Sequence, residues 1–229
     1  MREAIILAGG FGTRLRTVVS DVPKPMAPVA GRPFLSYLLD DLSRQGYRHV
    51  VLATGYMHEK VEEYFGYRYR DLSIDYACET TPLGTGGAIV NGLQHCSENR
   101  VTVLNGDTLF LVDHTPLLHA DETDCRLALL LRHVPDAGRY GSVEVDAEGL
   151  VTAFREKDPN AGEGLINAGI YRMHRSMLDS FSIGQPFSFE KEVLQPLHEP
   201  IRAYALDGYF IDIGVPDDYR RAEKELLQL

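Results

Sequence analysis

The 229-residue sequence predicts an α/β fold: a mixed, mainly parallel central sheet between two layers of helices, α/β/α. Two observations predict it. In the first half, short apolar runs alternate with helical stretches, the rhythm of parallel strands joined by helical crossovers. In the second half, strand-like runs follow one another through short connections, which brings antiparallel pairs into the sheet.

Taken in order, EAIILA (3–8) is an apolar strand and PFLSYLLDDLSRQG (33–46) a helix. HVVLAT (49–54) is a strand, EKVEEYF (59–65) a helix, SIDYAC (73–78) a strand, GGAIVNGLQHC (86–96) a helix and VTVLNGD (101–107) a strand. CRLALLLRHV (125–134), YGSVEVD (140–146), LVTAFRE (150–156) and LINAGIYRM (165–173) are strands. RSMLDSF (175–181) and SFEKEVLQPL (188–197) read as helices, the second with Ser188 as N-cap. IRAYALD and GYFIDIG are strands, and a last helix starts at Pro216 with Asp217 and Asp218 suited to its dipole. No repeat, low-complexity tract or linker interrupts this series. One domain over residues 1–229 is expected, with a nucleotide-binding part to about residue 112 and a sugar-phosphate-binding part over about 113–229.

Charge narrows the function. The net charge of −10 argues against a nucleic-acid binder, whose footprint is a basic face. Residues 1–32 nevertheless hold Arg2, Arg14, Arg16, Lys24 and Arg32 against Glu3 and Asp21, a balance of +3, leaving −13 elsewhere. A small basic site on an acidic body suits a compact anion. No apolar run is long enough to span a membrane. The chain enters its first strand at once, so no signal peptide is expected. Cys78, Cys96 and Cys125 lie far apart with no CxxC pair, which speaks against a zinc site or a disulfide framework and for a reducing, cytoplasmic setting.

The first strand breaks into Leu7-Ala8-Gly9-Gly10-Phe11-Gly12-Thr13-Arg14. Glycines let backbone N–H groups turn inward around an anion, and an arginine adds a fork suited to phosphate oxygens. A plain strand-to-helix turn would explain the glycines but not the arginines. The dinucleotide pattern GxGxxG fails because position 15 is Leu, and no GKT or GKS follows for a Walker A loop. Lys24 stands between Pro23 and Pro25, which stiffen the backbone around it. A rigid, extended lysine suits a fixed place beside a phosphate, although most lysines are solvated surface groups. Asp107 in LNGD and Asp212 in FIDIG both end strands, where ligands of open α/β sheets gather. Two carboxylates with phosphate oxygens and water would make a Mg²⁺ site.

LAGGFGTRL followed by PKPMAPV resembles the signature of the sugar-1-phosphate nucleotidyltransferases, the sugar-nucleotide pyrophosphorylases. The resemblance covers the chain from Glu3 to Tyr219 and implies their Rossmann-like fold. The proline-leucine-threonine usual after the arginine-leucine pair is replaced by Arg16-Thr17-Val18. The resemblance implies that Leu7, Ala8, Gly9, Gly10, Gly12, Thr13 and Arg14 hold the nucleotide, with Lys24 at the reacting phosphates. It implies that Glu79, Pro82, Leu83, Gly84 and Thr85 of ETTPLGTGGA, with Asn105 and Gly106, meet the nucleoside. It makes Asp107 and Asp212 the magnesium ligands. Gly141, Glu156, Lys157 and Asn167 would take the sugar phosphate, Lys157 holding its charge. Arg14, Lys24, Asp107, Lys157 and Asp212 are thus the expected catalytic set.

A carboxylate only accepts hydrogen bonds, and guanine offers two adjacent donors, so Glu79 favours guanine over thymine or uracil; it could equally be a polar strand end. DVPKPMAPV, PLGTGGAI, LNGDTLF, RYGSVEVD, GLINAGIY, FSFE and YFIDIGVPDDY are most similar to members that guanylylate D-glycero-D-manno-heptose 1-phosphate for bacterial surface glycans. A hexose-1-phosphate guanylyltransferase, another sugar-1-phosphate nucleotidyltransferase and a non-catalytic nucleotide-sugar sensor remain alternatives. The expected partners are GTP and a sugar 1-phosphate, with neither nucleic acid nor membrane, and a homodimer stays open. No hexapeptide repeats follow the last helix, so a stand-alone transferase is expected.

Overall fold

The computed structural model describes residues 1–10, 22–119 and 125–228. In chain order the elements begin with β1 (Glu3–Leu7), a 3₁₀ turn at Lys24–Met26 and the hairpin β2 (Pro28–Val29) and β3 (Arg32–Pro33). Then come α1 (Phe34–Arg44), β4 (His49–Thr54), α2 (His58–Phe65), β5 (Arg68–Tyr69), β6 (Leu72–Cys78) and α3 (Gly84–Leu93). They continue with β7 (Arg100–Asn105), β8 (Thr108–Leu111), α4 (Thr115–His119), β9 (Leu127–Val134), β10 (Val143–Val145) and β11 (Val151–Phe154). The chain closes with β12 (Gly164–His174), a 3₁₀ turn at Arg175–Leu178, a π-helical turn at Glu190–Leu194, β13 (Ile201–Leu206), β14 (Tyr209–Asp212) and α5 (Pro216–Glu225).

Eight strands form one sheet in the order β13-β9-β12-β7-β1-β4-β6-β5. The pairs β7/β1, β1/β4, β4/β6 and β13/β9 are parallel; β12 runs antiparallel to both neighbours, and β5 antiparallel to β6. The sheet is therefore mixed and mainly parallel, as expected. Both faces are covered, which explains why β1 after Glu3 is apolar from Ala4 to Leu7 rather than alternating. Ala4 and Ile6 pack into a core with α1, α2 and α5. Ile5 packs into a second core on the other face, with α3 and the π-helical turn.

The second half departs from expectation in two places. RSMLDSF is a single 3₁₀ turn, because a stretch this short gives little return on the cost of nucleating a helix. SFEKEVLQPL forms a five-residue π-helical turn whose N-cap is Phe189 rather than the expected Ser188, although Ser188 Oγ accepts the Lys191 N–H at 3.3 Å. The ribbon β8/β14 was not legible as a unit. TLFL follows LNGD so closely that it reads as the same strand, while the pairing of Asp212 with Thr108 joins positions 104 residues apart.

Candidate active site

The carboxyl end of β1 and the N-terminal end of α3 border a cleft of about 380 Å³. That volume lies in the range of small-ligand sites. Eleven expected residues line it: Leu7, Gly9, Gly10, Lys24, Glu79, Pro82, Gly84, Thr85, Asn105, Gly106 and Asp107. They come from four separate segments, and the parallel sheet brings those segments together at one edge. Gly12, Thr13 and Arg14 lie outside the described residues. Ala8 is buried and donates its N–H to the Ala53 carbonyl at 2.8 Å; Leu83 is buried behind the cleft.

The charged centre is compact. Lys24 Nζ donates to Asp107 Oδ2 at 2.5 Å, and Thr108 Oγ1 donates to Asp107 Oδ1 at 3.1 Å. Asp212 comes from the far end of the chain, across the β8/β14 ribbon, and the Ile213 N–H donates to the Asp107 carbonyl at 2.9 Å. Gly214 N–H fixes Asp212 Oδ1 at 2.6 Å. A Cβ built on Gly214 would sit 2.7 Å from Asp212 Oδ1 and 3.2 Å from Lys24 Nζ, so the two charged groups crowd one glycine. Burial first, and then the Asp107 charge, push the Asp212 carboxyl above its ordinary range, against the pull of Lys24. Gly106 is required where it stands. Its N–H meets the Leu7 carbonyl at 3.1 Å, and a side chain there would strike that carbonyl. This contact sets Asn105 and Asp107 against the carboxyl end of β1.

Two carboxylates facing one another across a single ammonium suit a hard divalent cation. Among the described residues no group of three or more His, Cys, Asp and Glu could hold a metal alone. The remaining ligands would have to be phosphate oxygens and water, in keeping with a metal carried by a nucleotide.

Glu79 lines the cleft and is a weaker acid than a free carboxyl because burial raises its pKa, while the Leu83 N–H opposes the rise. That N–H donates to Oε2 at 3.0 Å, so one oxygen already serves the entry to α3. The four residues expected to take the sugar phosphate lie apart from this cleft lining. Gly141, Glu156, Lys157 and Asn167 are not among the residues lining the cleft. Lys157 and Glu156 are exposed, and Glu156 Oε1 accepts from Gln195 Nε2 at 3.2 Å. Gly141, at φ +81°, lets the chain pass the Arg155 carbonyl, which a Cβ would approach to 2.5 Å. Asn167 donates to Tyr171 Oη at 2.7 Å and accepts from the Gly169 N–H at 2.9 Å. Sequence reasoning missed Pro25, Ala88 and Glu190 as cleft residues. Only the adjacency of FSFE to an expected helix start could have drawn attention to Glu190.

A glycine-rich strand end, a lysine on an aspartate and a second aspartate from the C-terminal ribbon form the geometry on which the comparisons bear. The family model "Nucleotidyl transferase" matches residues 3–228. The chain belongs to the nucleotidyl transferase family. This nucleotidyl transferase is 46% identical over 227 residues to the D-glycero-alpha-D-manno-heptose 1-phosphate guanylyltransferase of Aneurinibacillus thermoaerophilus, with 98% of each chain covered. It is 43% identical to the protein of that name from Campylobacter jejuni subsp. jejuni serotype O:2, over 95% of this chain and 96% of the other. Its fold matches the crystal structure of HddC from Yersinia pseudotuberculosis complexed with GMP-PN at TM-score 0.88 and 34% identity, over 99% of this chain and 100% of that one. No helix among the described residues is long and apolar enough to cross a membrane.

Proposed function

We propose that the chain transfers the guanylyl group of GTP to D-glycero-D-manno-heptose 1-phosphate, giving GDP-heptose and pyrophosphate. The observation that carries the reading is the meeting of Lys24, Asp107 and Asp212 beside a cleft of about 380 Å³ that Glu79 also lines. Near-full-length similarity to two heptose 1-phosphate guanylyltransferases supports the choice of base and sugar.

The reaction is an in-line displacement. A phosphate oxygen of the sugar 1-phosphate forms a bond to the α-phosphorus of GTP, and the bond to the bridging oxygen of the β-phosphate breaks. Pyrophosphate leaves with the electron pair. The nucleophile is already an anion, so no general base is required. Acceleration comes from holding two polyanions together and offsetting charge at the α-phosphate. Lys24 supplies positive charge there, and the glycine loop with Arg14 holds the departing pyrophosphate. Lys157 guides the incoming phosphate, and Glu156 and Asn167 orient the sugar. Asp107 and Asp212 would hold Mg²⁺, which as a Lewis acid neutralises and aligns phosphate oxygens. Glu79 accepts from the guanine edge through the oxygen that Leu83 leaves free. The setting is cytoplasmic, and the activated heptose serves a glycosyltransferase that builds a bacterial surface glycan such as lipopolysaccharide, capsule or S-layer glycan.

Pyrophosphate release, measured with GTP, ATP, UTP and dTTP against heptose and mannose 1-phosphates in the presence of Mg²⁺, tests the reading. GTP with heptose 1-phosphate should give the highest kcat/KM. A preference for mannose 1-phosphate would assign a hexose guanylyltransferase instead, and no turnover with any pair would leave a nucleotide-sugar sensor.

A further inference from the structure

The segment 185–195 touches both ends of the site. Its first part is bonded to the start of α3: the Phe187 N–H donates to the Leu83 carbonyl and the Gly86 N–H to the Phe187 carbonyl, each at 3.0 Å. A Cβ at Gly84 or Gly87 would come within 2.5 Å of the Phe187 or Gln185 carbonyl. Glycines at these positions therefore permit an approach that side chains would prevent.

Glu190 follows, on the wall of the cleft that also holds Asn105 and Asp107. Thr85 Oγ1 donates to its Oε2 at 2.7 Å, and Ser188 Oγ donates to the same oxygen at 3.1 Å. Thr85 is itself fixed by the Phe189 N–H at 2.9 Å. Oε1 takes no hydrogen bond among the described residues. At the far end, Gln195 holds Glu156. Phe189 packs edge-on against Tyr171, ring centroids 5.3 Å apart, and Tyr171 Oη accepts from Asn167. The π-helical turn and its two flanking residues, Phe189 and Gln195, thus connect the nucleotide-facing Thr85 with two residues assigned to the sugar phosphate. Such turns recur at functional positions.

We propose that Glu190 is a specificity residue for the sugar phosphate, accepting a sugar hydroxyl through Oε1, and that Gln195 positions Glu156 for the same ligand. The proposal rests on the function given above. A carboxylate accepts hydrogen bonds and repels phosphate, so it belongs at the hydroxyl-bearing end of the ligand. Glu190 does not join Asp107 and Asp212 in a three-carboxylate metal group. Service to Thr85 and Ser188 alone would need one neutral carbonyl oxygen, and a charged second oxygen on a cleft wall goes unexplained by it.

Glu190→Gln is the test. The amide oxygen can keep both hydroxyl bonds, while the amide nitrogen turns the free acceptor into a donor. In the pyrophosphate assay, KM for heptose 1-phosphate should rise about 10- to 100-fold, the loss expected for a charged hydrogen bond, with KM for GTP within about twofold. The preference for heptose over mannose 1-phosphate should narrow. An unchanged sugar KM, or a GTP KM that rises with it, overturns the proposal. Gln195→Ala should raise the sugar KM in the wild type but add nothing in a Glu156→Gln background, and additive losses would overturn the positioning role. A wild type inactive with every sugar phosphate overturns the functional reading and this proposal together. An active wild type with an indifferent Glu190→Gln overturns this proposal alone.

Discussion

Replacing Lys24 by methionine isolates the charge on which the site depends. The stem is kept, and Asp107 and Asp212 are left facing each other. Truncating one partner of a buried ion pair costs about 3–5 kcal/mol. Here the Lys24 side chain is 13% exposed but that of Asp107 is 36% exposed, so solvent screens part of the loss. About 2 kcal/mol is expected, which for a chain of this size lowers Tm by about 4–8 °C. The deficit should depend on pH with a definite sign. Asp212 already has a raised pKa in the fold, and loss of Lys24 raises it further. A carboxyl of that kind favours the fold at pH values below its unfolded pKa of 3.8, and that contribution is lost as pH rises through the folded value. The Tm gap between Lys24→Met and wild type should therefore be widest near neutrality and shrink as pH falls toward 4. Saturating Mg²⁺ should stabilise the variant more than the wild type, because in the wild type the metal competes with Nζ for Asp107. Thermal melts at several pH values, with EDTA or Mg²⁺, supply the measurement. A gap that stays constant with pH, or an equal gain from Mg²⁺ in both proteins, would refute this account of the charge balance.

Asp107→Asn should remove most turnover at saturating Mg²⁺ in the pyrophosphate assay, and a rate near wild type would take Asp107 out of the metal site. Glu79→Gln should erode the preference for GTP over UTP and dTTP, and an unaltered nucleotide ranking would restrict Glu79 to supporting the Leu83 N–H. Gly106→Ala should destabilise the fold by about 1–3 kcal/mol through the clash with the Leu7 carbonyl, and a wild-type Tm would show that β1 yields there. Burial holds the His114 pKa down to about 4 and lifts that of Asp41 to about 6, so acid weakens the fold through His114 and strengthens it through Asp41. Each shift amounts to about 3 kcal/mol. The two groups lie 3.6 Å apart and largely offset each other, so Asp41→Asn should lose stability between pH 6.5 and 4.5 more steeply than wild type, as measured by Tm.

The parallel half of the fold was legible because its information is local. EAIILA and HVVLAT are continuous apolar runs, and helical stretches of sufficient length stand between the strands. Much of the cleft lining was legible for the same reason: Gly9, Gly10, Lys24 and Asp107 each sit at a strand end or a stiffened turn within a short motif. What stayed hidden depends on contacts between distant segments. The pairing of β8 with β14 carries Asp212 to Asp107, and no periodicity in TLFL or YFID announces a partner. The reach of Glu190 to Thr85 across 105 positions is of the same kind. Lys157 and Glu156 were named from their place in a motif, whereas their exposure and the Gln195 contact follow from the course of β10 and β11 beside the sheet.

These distant contacts also explain why an acidic protein can work on polyanions. Glu79, Asp107 and Glu190 all line the cleft, and among its described lining residues Lys24 is the only Lys or Arg. Such a wall repels a free triphosphate. Yet each carboxylate has a separate task enforced by its partners. The Leu83 N–H turns one oxygen of Glu79 toward α3, Lys24 and Thr108 occupy both oxygens of Asp107, and Thr85 and Ser188 hold one oxygen of Glu190. Hydrogen bonding to fixed donors holds these groups in fixed orientations as acceptors. Under the proposed function the triphosphate takes one course, past Lys24 and between the two aspartates. A nucleotide entering with its charge already reduced by a divalent cation follows that course at lower cost than the free anion, and GTP affinity should accordingly rise with Mg²⁺ in the wild type and fall with it when Asp107 and Asp212 are both amidated.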